Sequence, residues 1–351
     1  MMNSLLAGQN FKFWYKAARP ISFGQSVMPY LLGALLGLST LIYTDASVGA
    51  IAYGLAVGVL GLVGVLFAHG GMNLIDDYFD MKKGAVARRE ELLDGGFRAR
   101  LSKCRYLKDG KVTLDDTKRV AITFLSVALA LAAIIFALRG WEVLIFAGIT
   151  LVLGLSYAGP PLRLSYRGFG ELVIGFLFGP MLVTAASLLV SGQITPLALF
   201  CAVPVGLLVT NIVHTHAVMD YGPDLAAKRK TLPILLGSER AGMTVSIIFV
   251  LLAHLSLLVG IILGILPIAT LLAVVTYPLS FVFIKLAIDY VNKDAEEFNF
   301  TPQKWMGNFG NREGYKKDGI AWFMARWLAA RNLVMQVTIV LAIAAFTPWY
   351  L

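Results

Sequence analysis

The chain has 351 residues, of which 58% are hydrophobic and 15% charged, with a mean hydropathy of +0.75. A soluble domain carries about 25% charged residues, and many apolar runs here reach the ~20 residues that cross a ~30 Å hydrocarbon layer. A water-soluble globule is therefore excluded, and the net charge of +9 needs no nucleic-acid partner, because the basic residues follow membrane topology.

In chain order, residues 1–20 carry Lys12, Lys16 and Arg19 and lack the apolar core of a cleavable signal. Nine apolar spans are predicted at about 22–43, 48–72, 119–138, 142–157, 169–191, 195–219, 241–264, 266–289 and 328–347. The fold class is thus all-α and polytopic, and residues 1–351 form one intramembrane domain. Long loops fall at about 73–118 and 290–327. Cys104 lies in a polar loop and Cys201 in an apolar span, so neither a disulfide framework nor a cysteine metal site is expected.

Lysine and arginine concentrate in the N-terminus and in the loops after spans 2, 4, 6 and 8; on the opposite side the connections hold only Arg139. The positive-inside rule then places the N-terminus and those four loops in the cytoplasm of a cell membrane. An odd number of spans leaves Trp349, Tyr350 and Leu351 outside.

Span 2 runs into His69-Gly70-Gly71-Met72-Asn73-Leu74-Ile75-Asp76-Asp77-Tyr78-Phe79-Asp80. At about 100° per residue, His69, Asn73, Asp76 and Asp80 share a narrow stripe with Asp77 beside it. Three carboxylates on about one turn near low dielectric repel one another, and an oxygen-liking cation relieves that repulsion. The plainer alternative is a solvated helix end paired with Lys82 and Lys83.

Span 6 ends with His216, Asp220 and Asp224 at four-residue steps, followed by Lys228, Arg229 and Lys230. Acids that hold a metal, followed by bases that hold what the metal holds, fit a Mg²⁺-diphosphate. Both motifs sit at cytoplasmic ends of even-numbered spans, so one cavity can serve both. Among isolated residues, His254 reads as packed in its span or lining a pore rather than as a ligand. Glu171, near the start of span 5, reads as functional or ion-paired.

Over about residues 14–265 the chain resembles the UbiA-type intramembrane prenyltransferases, whose nine-helix fold carries Asn-Asp-x-x-Asp after span 2 and Asn-x-x-x-Asp-x-x-x-Asp after span 6. Further matches are Ala18-Arg19-Pro20, Tyr157 to Glu171 with its Tyr166-Arg167-Gly168-Phe169-Gly170-Glu171, Lys230-Thr231-Leu232, and Gly95-Gly96-Phe97-Arg98. The stretch from Tyr157 to Glu171 is most similar to the branch that prenylates 1,4-dihydroxy-2-naphthoate in menaquinone synthesis. Two positions depart from the family pattern: Asp76 and His216 stand where it has asparagine. Asn73 is placed to supply an amide one turn upstream, and His216 to sit behind the metal or against diphosphate.

The resemblance implies an enzyme taking an isoprenyl diphosphate and an aromatic acceptor within the lipid bilayer. Asp76, Asp77, Asp80, Asp220 and Asp224 would hold Mg²⁺. Lys228, Arg229 or Lys230, with Arg163 or Arg98, would stabilise the leaving diphosphate, and Tyr157 or Tyr166 would contact substrate. The loop 82–118 is the candidate lid. No obligate protein partner is evident in the sequence. A transporter, the alternative class, places its ion sites near the bilayer midplane in repeated halves; here the acids cluster at one face.

Overall fold

A computed structural model describes residues 8–84, 87, 91, 104–226, 228–292 and 300–347. Among them no strand occurs, and the one β-type contact is an isolated bridge between Arg167 and Lys230. The helices are α1 (Phe11–Ala17), α2 (Gly24–Tyr43), α3 (Val48–Lys82), α4 (Arg105–Lys108), α5 (Leu114–Arg139) and α6 (Glu142–Ala158). There follow α7 (Gly170–Phe176), α8 (Leu182–Ser191), α9 (Pro196–Met219), α10 (Tyr221–Ala226) and α11 (Leu232–Leu236). The last four are α12 (Glu239–Ile262), α13 (Tyr277–Val291), α14 (Arg312–Lys317) and α15 (Ala321–Ala344).

Among the described residues, eight helical segments are long and apolar enough to span a membrane. The fourth expected span, α6, is apolar but has 17 residues, or about 26 Å at 1.5 Å per residue, slightly short of a ~30 Å core. Local chemistry explains where the helices exceed the expected bounds. Apolar length alone starts the third span at 119, yet α5 begins at Leu114 because Thr113 and Asp116 close a capping box. Apolar length likewise starts the last span at 328, whereas α15 begins at Ala321. The early turns carry Arg326, which is 1% exposed and donates Nε to Leu286 O of α13 at 2.7 Å and Nη1 to Trp322 O of its own helix at 2.8 Å, so a buried charge is accommodated there.

The longest departure is α3. Its 35 residues run unbroken from the Ser47 cap to Lys82, about 52 Å of helix. The acid motif is therefore the end of the span itself rather than the start of a loop.

The described residues fall into two compact units. The first holds α1 to α6 and α8. There α3 packs chiefly on α5 and α8 on α2. The second pair needs a backbone with no Cβ: one added at Gly33 would stand 2.2 Å from Val183 O, so glycine permits the close approach that small residues give membrane helices. At the end of α3, Trp14, Leu74, Cys104, Leu107, Val120 and Phe124 form a buried cluster that ties α1 and α4 to the acid motif. Arg139, the exception to the charge asymmetry, caps α8 by donating to Leu189 O at 2.8 Å and Val190 O at 2.9 Å, with its guanidinium 4.6 Å over the Tyr53 ring.

The second unit holds α7 and α9 to α15. Helix α9 packs on α12, α15 and α7. The expected eighth span opens as a 3₁₀ segment, Ile268–Thr276, after Pro267. His254 is satisfied there by Val250 O at 2.8 Å and Thr276 Oγ1 at 3.0 Å, a packed histidine as its apolar setting predicts. Within the long loop expected at 290–327, residues from 300 onward are fastened to α15: Asn332 donates to Asn308 O at 3.1 Å and Gln336 to Trp305 O at 2.9 Å.

Candidate functional site

The first acid set lies wholly in the first unit. Asp77 is 0% and Asp80 3% exposed, and burying carboxylates demands partners. Arg19, held in the left-handed region at φ 61 between α1 and the Pro20–Ser22 turn, supplies one. Its Nη2 lies 3.3 Å from Asp76 Oδ2 and 3.4 Å from Asp77 Oδ1, and donates to Asn73 O at 3.0 Å and Asn73 Oδ1 at 3.3 Å. Burial alone would lower the Arg19 pKa; Asp77 and Asp76 more than offset it and raise it above its ordinary value.

Two tyrosines also meet these acids. Tyr106 on α4 donates to Asp77 Oδ2 at 3.2 Å, and Tyr166 donates to Asp80 Oδ1 at 2.5 Å. Burial first, and then the charge of Asp77, hold the Tyr106 phenol above its usual pKa, so it stays a donor. Its ring is wedged edge-on against Phe13 and Trp14 of α1. Lys83 donates to Ala158 O at 2.9 Å and lies 3.9 Å over the Tyr166 ring, while Lys82 donates to the Tyr78 hydroxyl at 3.3 Å. The amide nitrogen of Asn73 is engaged with Ala18 O at 2.8 Å and Ser22 Oγ at 3.1 Å.

The second set lies wholly in the second unit. Asp220 is 3% and Asp224 5% exposed. The helix is interrupted at Asp220, between α9 and α10, but Asp220 N bonds His216 O and Asp224 N bonds Asp220 O. The four-residue polar stripe therefore survives the break. His216 Nε2 is 3.0 Å from Asp220 Oδ2, and its ring stands edge-on to Phe323 at 4.9 Å. That places His216 behind Asp220, orienting it. Arg229 is 3.6 Å from Asp224 Oδ1, and its backbone N–H donates to Asp224 O at 2.9 Å. Lys228, at φ 55, and Lys230 are exposed.

Glu171 has a positioning contact. Its Oε1 accepts from Leu232 N at 3.1 Å, one of the otherwise unpaired N–H groups that open α11, and so it anchors the loop that carries the three bases. Tyr157 is half-buried, and Arg163 is exposed at φ 47. Arg98, together with Gly95, Gly96 and Phe97, lies outside the described residues. Motif spacing assigns neither Arg19 nor Tyr106 to the acids, since 57 positions separate Arg19 from Asp76 and 29 separate Tyr106 from Asp77; Ala18-Arg19-Pro20 is the trace of Arg19 in the sequence.

Among the described residues no three His, Cys, Asp or Glu side chains converge as a protein-only metal cage. The donor set is buried carboxylate oxygen, which fits Mg²⁺: that ion takes one or two carboxylates and completes its octahedron with waters and substrate phosphate.

A profile of the UbiA prenyltransferase family matches residues 26–307. The chain is 26% identical to the 2-carboxy-1,4-naphthoquinone phytyltransferase of Synechocystis sp. over 302 residues, covering 82% of this chain and 86% of that protein. It is 25% identical to the 1,4-dihydroxy-2-naphthoate octaprenyltransferase of Bacillus subtilis over 227 residues, 65% of this chain and 67% of that one. A solved structure described as a digeranylgeranylglyceryl phosphate synthase in membranes shares the fold, with a TM-score of 0.58 at 15% identity over 95% of this chain and 98% of that one. A multi-pass helical membrane chain with two buried acid sets, matched by this profile through both units, is a member of the UbiA prenyltransferase family.

Proposed function

We propose that this chain transfers the prenyl group of an isoprenyl diphosphate to an aromatic acceptor, 1,4-dihydroxy-2-naphthoate in menaquinone biosynthesis, within the cell membrane. The observation that carries the reading is chemical: two buried carboxylate sets, each closed by an arginine, in a chain of a prenyltransferase family. The names of the two relatives supply the acceptor class. Both describe a naphthalene-ring compound bearing a carboxyl group, while they differ in the prenyl chain.

Asp76, Asp77, Asp80, Asp220 and Asp224 are assigned to binding the diphosphate's Mg²⁺, and the whole chain to one catalytic domain. When bound, Mg²⁺ supplies Lewis acidity that weakens the bond between the prenyl carbon and the diphosphate oxygen. Asp77 and Asp80 meet that charge as rigid acceptors, because Tyr106, Tyr166 and Arg19 fix them. Lys228, Arg229 and Lys230 stabilise the departing diphosphate, with Arg163 and Arg98 as further candidates. The C–O bond breaks, a carbon–carbon bond to the ring forms, and the ring carboxyl leaves as carbon dioxide. The topology that accords with the charge asymmetry puts the N-terminus and both acid sets on the cytoplasmic side and the C-terminus outside. The substrates and the bilayer are partners enough for this reaction.

The test supplies membranes containing the protein with Mg²⁺, a labelled allylic diphosphate and a panel of aromatic acceptors, with products identified by mass. Prenylated, decarboxylated naphthalenediol is expected. A product on a different acceptor alone would overturn the naphthoate assignment, and no product with any acceptor would overturn the reading.

A further inference from the structure

His69 lies half-buried in α3 more than a turn before the acids, with a ring nitrogen near each of two serines: Nδ1 is 2.9 Å from Ser26 Oγ, and Nε2 is 3.3 Å from Ser22 Oγ. Ser22 already donates its one hydroxyl hydrogen to Arg19 O at 2.8 Å and accepts from Asn73 Nδ2 at 3.1 Å. A hydroxyl has one hydrogen and two acceptor positions. His69 Nε2 must therefore carry the hydrogen and fill the second acceptor position of Ser22. In the neutral ring Nδ1 is then an acceptor, and Ser26 Oγ, whose one hydrogen also has Phe23 O within reach at 3.0 Å, donates to it over the shorter 2.9 Å contact. Ser22 is saturated.

The consequence falls on Arg19. Its carbonyl is held by Ser22, its guanidinium by Asn73, Asp76 and Asp77, and its backbone sits at φ 61. A non-glycine residue keeps that conformation where surrounding bonds over-determine it. The ring of Phe23 lies 5.0 Å from that of His69, closing the apolar side.

We propose that His69 is a positioning residue. Through its Nε2–H and Ser22, it holds the Arg19 turn so that the guanidinium is delivered to Asp76 and Asp77 before substrate arrives. The proposal rests on the functional reading for its effect on Mg²⁺, and on the hydrogen-bond chain alone for its effect on Arg19. Partners that orient first ligands are worth 10–100-fold in metal affinity or activity in metal sites.

The experiment compares wild type with His69→Gln, His69→Asn, His69→Phe and Ser22→Ala in lipid nanodiscs. Glutamine places its amide where Nε2 lies and keeps the Ser22 bond; asparagine reaches only the Nδ1 position and keeps the Ser26 bond. Phenylglyoxal modification of Arg19, read by peptide mass spectrometry, reports whether the guanidinium is held. Arg19 is expected to react about tenfold faster in the Asn, Phe and Ser22→Ala variants and at the wild-type rate in the Gln variant. The Mg²⁺ concentration for half-maximal transfer is expected to rise in the same order, with the KM for the aromatic acceptor unchanged. Equal Arg19 reactivity in wild type and Ser22→Ala, or in the Gln and Asn variants, would overturn the proposal. Absence of prenyl transfer in wild type would strike the functional reading, and the Arg19 rates would still decide this one.

Discussion

Arg19 sets a single guanidinium nitrogen 3.3 Å from Asp76 and 3.4 Å from Asp77, carboxylates on neighbouring positions of one helix. Asp76 stands where the family pattern has an amide. The extra negative charge is thereby matched inside the protein by a positive charge from the turn before α2, and the net charge seen by an approaching diphosphate is moderated. Lysine cannot reproduce this, because its shorter stem ends in a more strongly hydrated ammonium that does not reach the same position beside the acids. Arg19→Lys is expected to lower kcat/KM for the isoprenyl diphosphate by at least tenfold. Arg19→Gln combined with Asp76→Asn, which removes both charges, is expected to recover part of the loss. Steady-state kinetics on the two variants checks both statements.

Tyr166 offers a second handle. Its hydroxyl donates to the buried Asp80, and a hydrogen bond to a charged group contributes about 1.5–3 kcal/mol. Tyr166→Phe is expected to reduce transfer by roughly 10–100-fold, the kinetic equivalent of that range. In an Asp80→Asn background the same change should cost much less. A double-mutant cycle on kcat/KM reads the coupling, and additive losses would show that Tyr166 acts on something other than Asp80.

His216 stands behind Asp220, so its amide replacement should be tolerated where its deletion is not. His216→Gln places an amide where Nε2 lies and keeps the contact; His216→Ala leaves Asp220 without that partner. The Mg²⁺ requirement is expected to rise about 10–100-fold for alanine and little for glutamine. Mg²⁺ titrations of transfer activity distinguish the two.

Glu171 should split the kinetic constants. It meets Leu232 N at the start of α11 and steadies the Lys228–Lys230 loop without sharing a hydrogen bond with those bases. Glu171→Ala is expected to raise the KM for the diphosphate more than it lowers kcat. Glu171→Gln, which keeps the acceptor oxygen, should resemble wild type. A fall in kcat with KM unchanged would assign Glu171 to the chemical step instead.

Much of the fold is legible in apolar length and charge placement, because both respond to the bilayer directly. The places where it is not legible have particular causes. Arg326 looks like a span terminator until its two backbone acceptors are seen. The capping box at Thr113 starts α5 earlier than hydropathy can show. The fifth span carries a π-turn at Leu177–Met181 with Pro180 inside, which hydropathy does not register. Of the candidate site, the spaced acids are legible because a carboxylate stripe at the end of an apolar helix has few bland explanations. Their partners Arg19, Tyr106 and Tyr166 are not, since contacts across 57, 29 and 86 positions depend on how α1, α4 and the Leu164–Tyr166 turn pack. His216 is legible as polar and helical in phase, but its role behind Asp220 needs the 3.0 Å contact.

The central claim is that both buried acid sets serve one Mg²⁺-dependent prenyl transfer. It is tested most directly by measuring labelled prenyl transfer to 1,4-dihydroxy-2-naphthoate for wild type, Asp77→Ala and Asp220→Ala, each with Mg²⁺ and with excess chelator. The account predicts product for wild type with Mg²⁺ and none in the other five conditions. Full activity in either variant, or in wild type under chelator, would contradict it.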